Sequence, residues 1–137
     1  MTSEAPDVAA TLEGWAFGFA AVRGYATPLP TSTGLWIEIG ETEQKGRHVL
    51  RGFEPENISA LARSIDQPHV YLEIAATHDD VAPLLPAGWT MRNPAFLMTL
   101  PIAAAAESAA ASADYDAQII DEGGIITVEM RDRSGEI

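Results

Sequence analysis

Residues 117–130 constrain the fold most, because they read as two strands whose shortest pairing is with each other. Ala117-Gln118-Ile119-Ile120-Asp121 runs through a Glu122-Gly123-Gly124 turn into Ile125-Ile126-Thr127-Val128-Glu129-Met130. Two β-prone runs joined by a glycine-rich turn specify a β-hairpin. A further turn, Arg131-Asp132-Arg133-Ser134-Gly135, follows two residues before Ile137. A hairpin and turn ordinarily feed another strand, since a two-stranded sheet is marginal and an open edge is a liability. The pattern therefore predicts the front portion of something larger, with residues 115–137 as the start of an incomplete second sheet.

Ahead of the hairpin, proline and glycine cut the chain into short segments. Asp7 is placed to cap a helix in which Val8, Leu12, Trp15, Phe19 and Val22 recur at helical spacing, and Gly24 ends it. Thr27-Pro28-Leu29-Pro30 predicts a rigid, non-helical connection. Leu35-Trp36-Ile37-Glu38-Ile39 alternates with period two, and a polar loop leads to Arg47-His48-Val49-Leu50-Arg51, so an antiparallel hairpin is the natural pairing. Pro55 suits the first turn of a second helix carrying Ile58, Leu61, Ala62 and Ile65, which Pro68 closes. His69-Val70-Tyr71-Leu72-Glu73-Ile74 alternates again, with Val70, Leu72 and Ile74 expected to face the helices. Thr77 and Asp80 have capping-box spacing over a short helix through Leu84-Leu85, ended by Pro86 and Gly88. Trp89-Thr90-Met91 and the segment 95–100 read as two more strands.

The order of elements predicts an α+β fold: a mostly antiparallel sheet with two to three helices packed on one face, plus a C-terminal β-hairpin. The N-terminal domain spans residues 1–101, and an Ala/Ser-rich connector spans 102–114 ahead of the hairpin at 115–137.

Apolar residues are 47% of the 137, enough for a core and against global disorder. The absence of cysteine excludes disulfides, thiolate nucleophiles and cysteine metal sites. With no basic stretch ahead of its first apolar residues, the chain carries no signal-peptide pattern, and a cytoplasmic location is expected. No run approaches the ~18–20 apolar residues of a membrane span. Net charge is −12, and residues 100–137 hold half of it, with eight acids against two arginines. Such a field repels nucleic acid and anionic membranes and attracts cationic partners. Solubility alone is the plainer use of the same charge.

One constellation stands out. Trp36 and Glu38 project from one side of their strand, and Tyr71 and Glu73 are expected to project the same way from theirs. Two aromatic rings and two carboxylates on the face free of helices would suit a cationic amine, through charge, cation–π attraction and desolvation. Packing under a loop or a partner is the alternative use of the two rings. His69, His78, Asp79 and Asp80 lack the spacing that puts two imidazoles on one helix face, so no metal site is expected. Asp79 and Asp80 instead complement a helix N-terminus. Neither a Gly-x-Ser-x-Gly elbow nor a phosphate-cradling glycine loop occurs, and Gly123-Gly124 is flanked by acids. No catalytic and no cofactor-binding residue is assigned.

The stretch from Gly34 to Leu100 resembles the N-terminal region of certain GNAT-family N-acetyltransferases. The residues that carry the likeness are Arg47-His48-Val49-Leu50, Ser64-Ile65-Asp66-Gln67-Pro68, Tyr71-Leu72-Glu73-Ile74, and Pro83-Leu84-Leu85-Pro86-Ala87-Gly88-Trp89 leading to Phe96-Leu97-Met98. The hairpin from Ile119 to Met130 and the turn at 132–135 look like the opening strands of that family's catalytic domain. The family's Arg/Gln-x-x-Gly-x-Gly/Ala loop, whose backbone N–H groups hold the acetyl-CoA pyrophosphate at a helix N-terminus, is absent from this sequence. The resemblance implies acyl transfer from acetyl-CoA to an amine, with this portion shaping the acceptor side or an interface and not catalytic as this chain alone. The competing expectation is a non-catalytic binding or protein-interaction module, a homo-oligomer included, that associates through the open C-terminal sheet edge.

Overall fold

The computed structural model describes residues 5–99 and 114–132. The chain divides into two compact units between Leu97 and Met98. The fold is the expected α+β arrangement: three helices, a four-stranded mostly antiparallel sheet and a C-terminal β-hairpin.

Helix α1, Val8–Arg23, starts at Asp7, whose carboxylate accepts from the N–H groups of Ala9 (3.0 Å) and Ala10 (3.3 Å). Those bonds satisfy two of the donors that a helix start leaves unpaired. Gly24 ends the helix with a left-handed φ of 71°, a conformation that costs a side chain with a Cβ. The buried row is Leu12, Ala16 and Ala20, spaced four apart, with Trp15 and Phe19 half-buried beside it. Val8 and Val22, expected on the apolar face, are exposed because the row nearest the sheet runs through the two alanines instead.

Strand β1, Leu29–Pro30, then β2, Gly34–Glu38, and β3, Gly46–Leu50, form antiparallel pairs. The segment expected as a bare connection thus also forms an edge strand, where proline is tolerated. Helix α2, Pro55–Ser64, crosses over to β4, Val70–Glu73, which lies parallel to β3. Helix α3, His78–Val81, follows Thr77, whose hydroxyl accepts from the Asp80 N–H at 3.2 Å and donates to the Asp80 carboxylate at 2.8 Å. A 3-10 turn, Ala82–Leu84, packs under α2, where Ser59 Oγ donates to the Leu84 carbonyl at 3.0 Å.

The core between α1 and the sheet joins Leu12, Ala16 and Ala20 to Ile37 and Val49, with Leu35, Ile39 and Tyr25 packed around them. The two strands expected after Trp89 are corrected by the structure: 89–99 form none. A strand needs a neighbour with free backbone groups, and this segment finds none in a ladder. Trp89 is instead tied through its indole N–H to the Ala62 carbonyl (3.2 Å), and Phe96 is 93% exposed. The connector expected at 102–114 lies outside the described residues except for Asp114.

In the second unit, β5, Tyr115–Glu122, pairs antiparallel with β6, Ile125–Asp132. The turn is Gly123-Gly124, with φ of 64° and 82°. Two consecutive positive φ values give the primed turn whose twist matches the strands. Tyr115, Ala117 and Ile119 share one face with Ile126, Val128 and Met130 across the ladder. All of these side chains are exposed.

Candidate functional site

The register of the first sheet decides where the four predicted residues go. Trp36 stands opposite His48, and His48 opposite Leu72. Ile37 stands opposite Arg47, and Arg47 opposite Tyr71; Leu35, Val49 and Glu73 form the next row. Residues in one row share a face. Trp36 and Glu38 therefore project from one face, while Tyr71 and Glu73 project from the other, the face that carries α1. The expected four-residue gathering is corrected into two pairs. The cause is parity: a one-residue change of register sends every side chain of a strand to the opposite face. The sequence of β4 could not reveal this, because Val70, Tyr71, Leu72 and Glu73 are all half-buried and neither parity is plainly apolar.

On the first face, Trp36 donates its indole N–H to Glu38 at 2.9 Å and leans on the His48 ring, centroids 4.6 Å apart. The indole lies across Gly46, where an added Cβ would sit 2.2 Å from two of its ring atoms. Glycine at 46 is what lets the indole lie flat on the sheet. His48 Nδ1 is buried with no hydrogen-bond partner, and burial pushes the imidazole below its ordinary value. The indole here serves as a cover for the strand pair.

On the α1 face, the chemistry expected of an aromatic and acidic cluster is realised, with the protein's own Arg47 as the cation. Its guanidinium pairs with the Glu73 carboxylate at 2.5 Å. It also lies 4.8 Å from the Phe19 ring centre and 5.3 Å from that of Tyr71. The Gln44 amide oxygen, in the orientation its neighbours dictate, accepts from Nε and Nη2 of the same guanidinium. Arg92 lies over Tyr71 at 5.0 Å, and Arg23 over Phe19 at 3.9 Å. Tyr71 and Glu73 are thus engaged before any ligand arrives. Sequence reasoning missed Arg47 in this role. Its signal is visible in retrospect: it is a charged residue within β3 whose neighbour two along, Val49, is core.

Nearby, Tyr25 donates its hydroxyl to Glu41 at 2.9 Å, and this bond to a carboxylate, with its negative charge, raises the phenol above its ordinary value. His78 Nε2 donates to the Arg92 carbonyl at 2.7 Å, and Asp80 is held by Thr77. Asp80 thus belongs to the capped start of α3, and His78 ties α3 to the segment after Trp89.

A cleft of about 230 Å³ opens at the carboxyl end of β3, with Ser32, Thr33, Arg51, Glu54 and Asn57 in its walls. In α/β crossovers this end of a strand, beside the N-terminus of the following helix, is where ligands are commonly held. Here that N-terminus is closed to anions. Pro55 occupies the first turn without an N–H, Glu54 sits at the cap and Glu56 adds a second carboxylate. Asn57 donates its amide to the Glu54 carboxylate, which makes no cap bond to the helix. The volume is also below the roughly 300 Å³ from which small-molecule sites begin.

Among the described residues, no three His, Asp or Glu side chains converge as metal ligands. None of their helices is long and apolar enough to cross a membrane. Comparison with protein-family models, with curated proteins and with solved structures gives no match to this chain.

Proposed function

We propose that this chain is the front portion of a GNAT-like N-acetyltransferase, contributing to acyl transfer from acetyl-CoA to a cationic amine and not catalytic by itself. The observation that carries the reading is the β5–β6 hairpin. Its strands are eight residues long and fully paired to each other, yet the apolar face of Ile119, Ile126, Val128 and Met130 is left exposed. A two-stranded ribbon with an apolar face is marginal alone, which supports a larger sheet or a packing partner for it. The closed N-terminus of α2 supports the non-catalytic part of the reading, because a pyrophosphate would meet carboxylates where it needs N–H donors. A net charge of −12 draws a cationic acceptor towards the assembly, and the absence of cysteine fits a cytoplasmic setting.

Isothermal titration of the 137-residue chain with acetyl-CoA is the test. No saturable binding is expected; a stoichiometric, tight isotherm would overturn the reading.

The same hairpin favours a second reading, a non-catalytic module that associates through its open sheet edge. It differs from the first in needing no acetyl-CoA chemistry at all.

A further inference from the structure

The two edges of the hairpin are not equivalent. β5 carries Asp116, Asp121 and Glu122 and no base, so no register of two β5 copies sets opposite charges against each other. β6 contains the uninterrupted run Ile125-Ile126-Thr127-Val128 and then Glu129 and Arg131, one acid and one base on the same face, with Asp132 at its end on the other. Within one chain these two already pair, Arg131 Nη2 to Glu129 Oε2 at 3.0 Å.

We propose that β6 is a self-association edge: two copies of this chain pair antiparallel over residues 128–132 about a two-fold axis at Met130, joining their hairpins into one four-stranded sheet. The inference rests on the second reading above and names its partner. The register follows from hydrogen-bond geometry and charge. A two-residue turn closes on a hydrogen-bonded pair, Glu122 with Ile125, so the alternate pairs Ile120–Thr127, Gln118–Glu129 and Asp116–Arg131 share the ladder bonds. The backbone groups of Val128 and Met130 then point away from β5, with no ladder partner there among the described residues. A two-fold at Met130 makes Met130 opposite its own copy a hydrogen-bonded pair. It places Glu129 opposite the second copy's Arg131, twice, at the non-hydrogen-bonded positions where side chains approach most closely. Shifting the axis to Glu129 sets two glutamates against each other, and shifting it to Val128 leaves both charges opposite uncharged side chains.

The test uses the full chain in sedimentation equilibrium across the micromolar range. Wild type is expected to dimerise. Glu129→Arg gives a strand with two bases and Arg131→Glu one with two acids, and each alone is expected to raise the dimer dissociation constant by about tenfold. An equimolar mixture of the two variants is expected to recover wild-type association, because only the mixed pair sets opposite charges against each other. Both variants lose the in-chain ion pair, so recovery on mixing cannot come from repair of a single chain, and it also shows that each variant is folded.

Dimers that persist unchanged in both variants overturn the self-pairing register and leave edge association standing. Variants that weaken association without recovery on mixing likewise overturn it. A wild-type monomer at every concentration, with Val128 and Met130 amides exchanging freely, overturns the proposal and the edge-association reading together. Neither result bears on the acetyl-CoA titration.

Discussion

The first sheet and the hairpin use the same period-two alternation to opposite ends. Ile37, in the middle of β2, is 0% exposed; Ile119, in the middle of β5, is 72% exposed. Both lie on the apolar face of a paired strand. The difference is α1, which sets Leu12, Ala16 and Ala20 against the first sheet, whereas the described residues of the hairpin's own unit include no helix. Alternation states which residues share a face; it does not supply what covers that face. The first sheet is held by burial, and the hairpin by its turn and ladder. The largest test of this contrast is a matched pair of truncations. Ile37→Ala is expected to destabilise the first unit by about 2–5 kcal/mol, because the cavity lies under a helix that cannot collapse onto it. All three tryptophans, Trp15, Trp36 and Trp89, lie in that unit, so fluorescence-monitored urea unfolding reports it. Ile119→Ala is expected to change hairpin amide protection by no more than ~0.5 kcal/mol. Similar losses at the two sites would break the comparison.

The contrast sharpens at the charges. Arg47 and Glu73 are paired with side chains 19% and 34% exposed, walled by Phe19 and Tyr71. Removing one partner leaves the other partly desolvated with nothing to compensate it. Arg47→Met is expected to cost about 1–3 kcal/mol in the same urea measurement. Adding Glu73→Gln is expected to return part of that cost, since no carboxylate is then left unpaired. If the double variant is no more stable than Arg47→Met alone, the pair is not coupled and the cluster is ordinary packing.

How far the sequence could be read follows from the same physics. The capped start of α1, its stop at Gly24, Pro55 at the head of α2 and the Gly123-Gly124 turn are local, and local chemistry was enough to place them. The pairing of β2 with β3 was also legible, because the two strands are consecutive and separated by a short polar loop. The face of β4 was not. Its register against β3 is set by a crossover through α2, so the side from which Tyr71 and Glu73 project depends on non-local packing. Trp89 to Leu97 misled for a related reason: β-prone residues become a strand only when a neighbour supplies backbone partners, and the Trp89 indole is tied to α2 instead. Half of the candidate site, Trp36 with Glu38, came together as expected. The other half was engaged by Arg47, whose role required knowing that Phe19 on α1 lies across it.

The smallest expected effect separates the two regions by pH. His48, His69 and His78 all precede Leu97, and the hairpin has no histidine. Burial lowers the pKa of His48 from the ordinary 6.5. It packs against the Trp36 ring, and the nearest acid on that face, Glu38, is occupied by the indole N–H and not by the imidazole. Because the folded chain holds this group neutral more strongly than the unfolded chain does, the unfolded state takes up the proton first as pH falls. The resulting stability is therefore fully present above the unfolded value and is lost as pH drops through 6.5 towards the lower folded value. Tryptophan-monitored urea midpoints should decline over that window in the wild type and decline less in His48→Phe, which keeps a ring against Trp36 but cannot take a proton. Hairpin protection should not follow the same curve. A decline of equal size in His48→Phe would move the origin of the effect to another histidine, and with it the claim that the indole seals a neutral imidazole against the sheet.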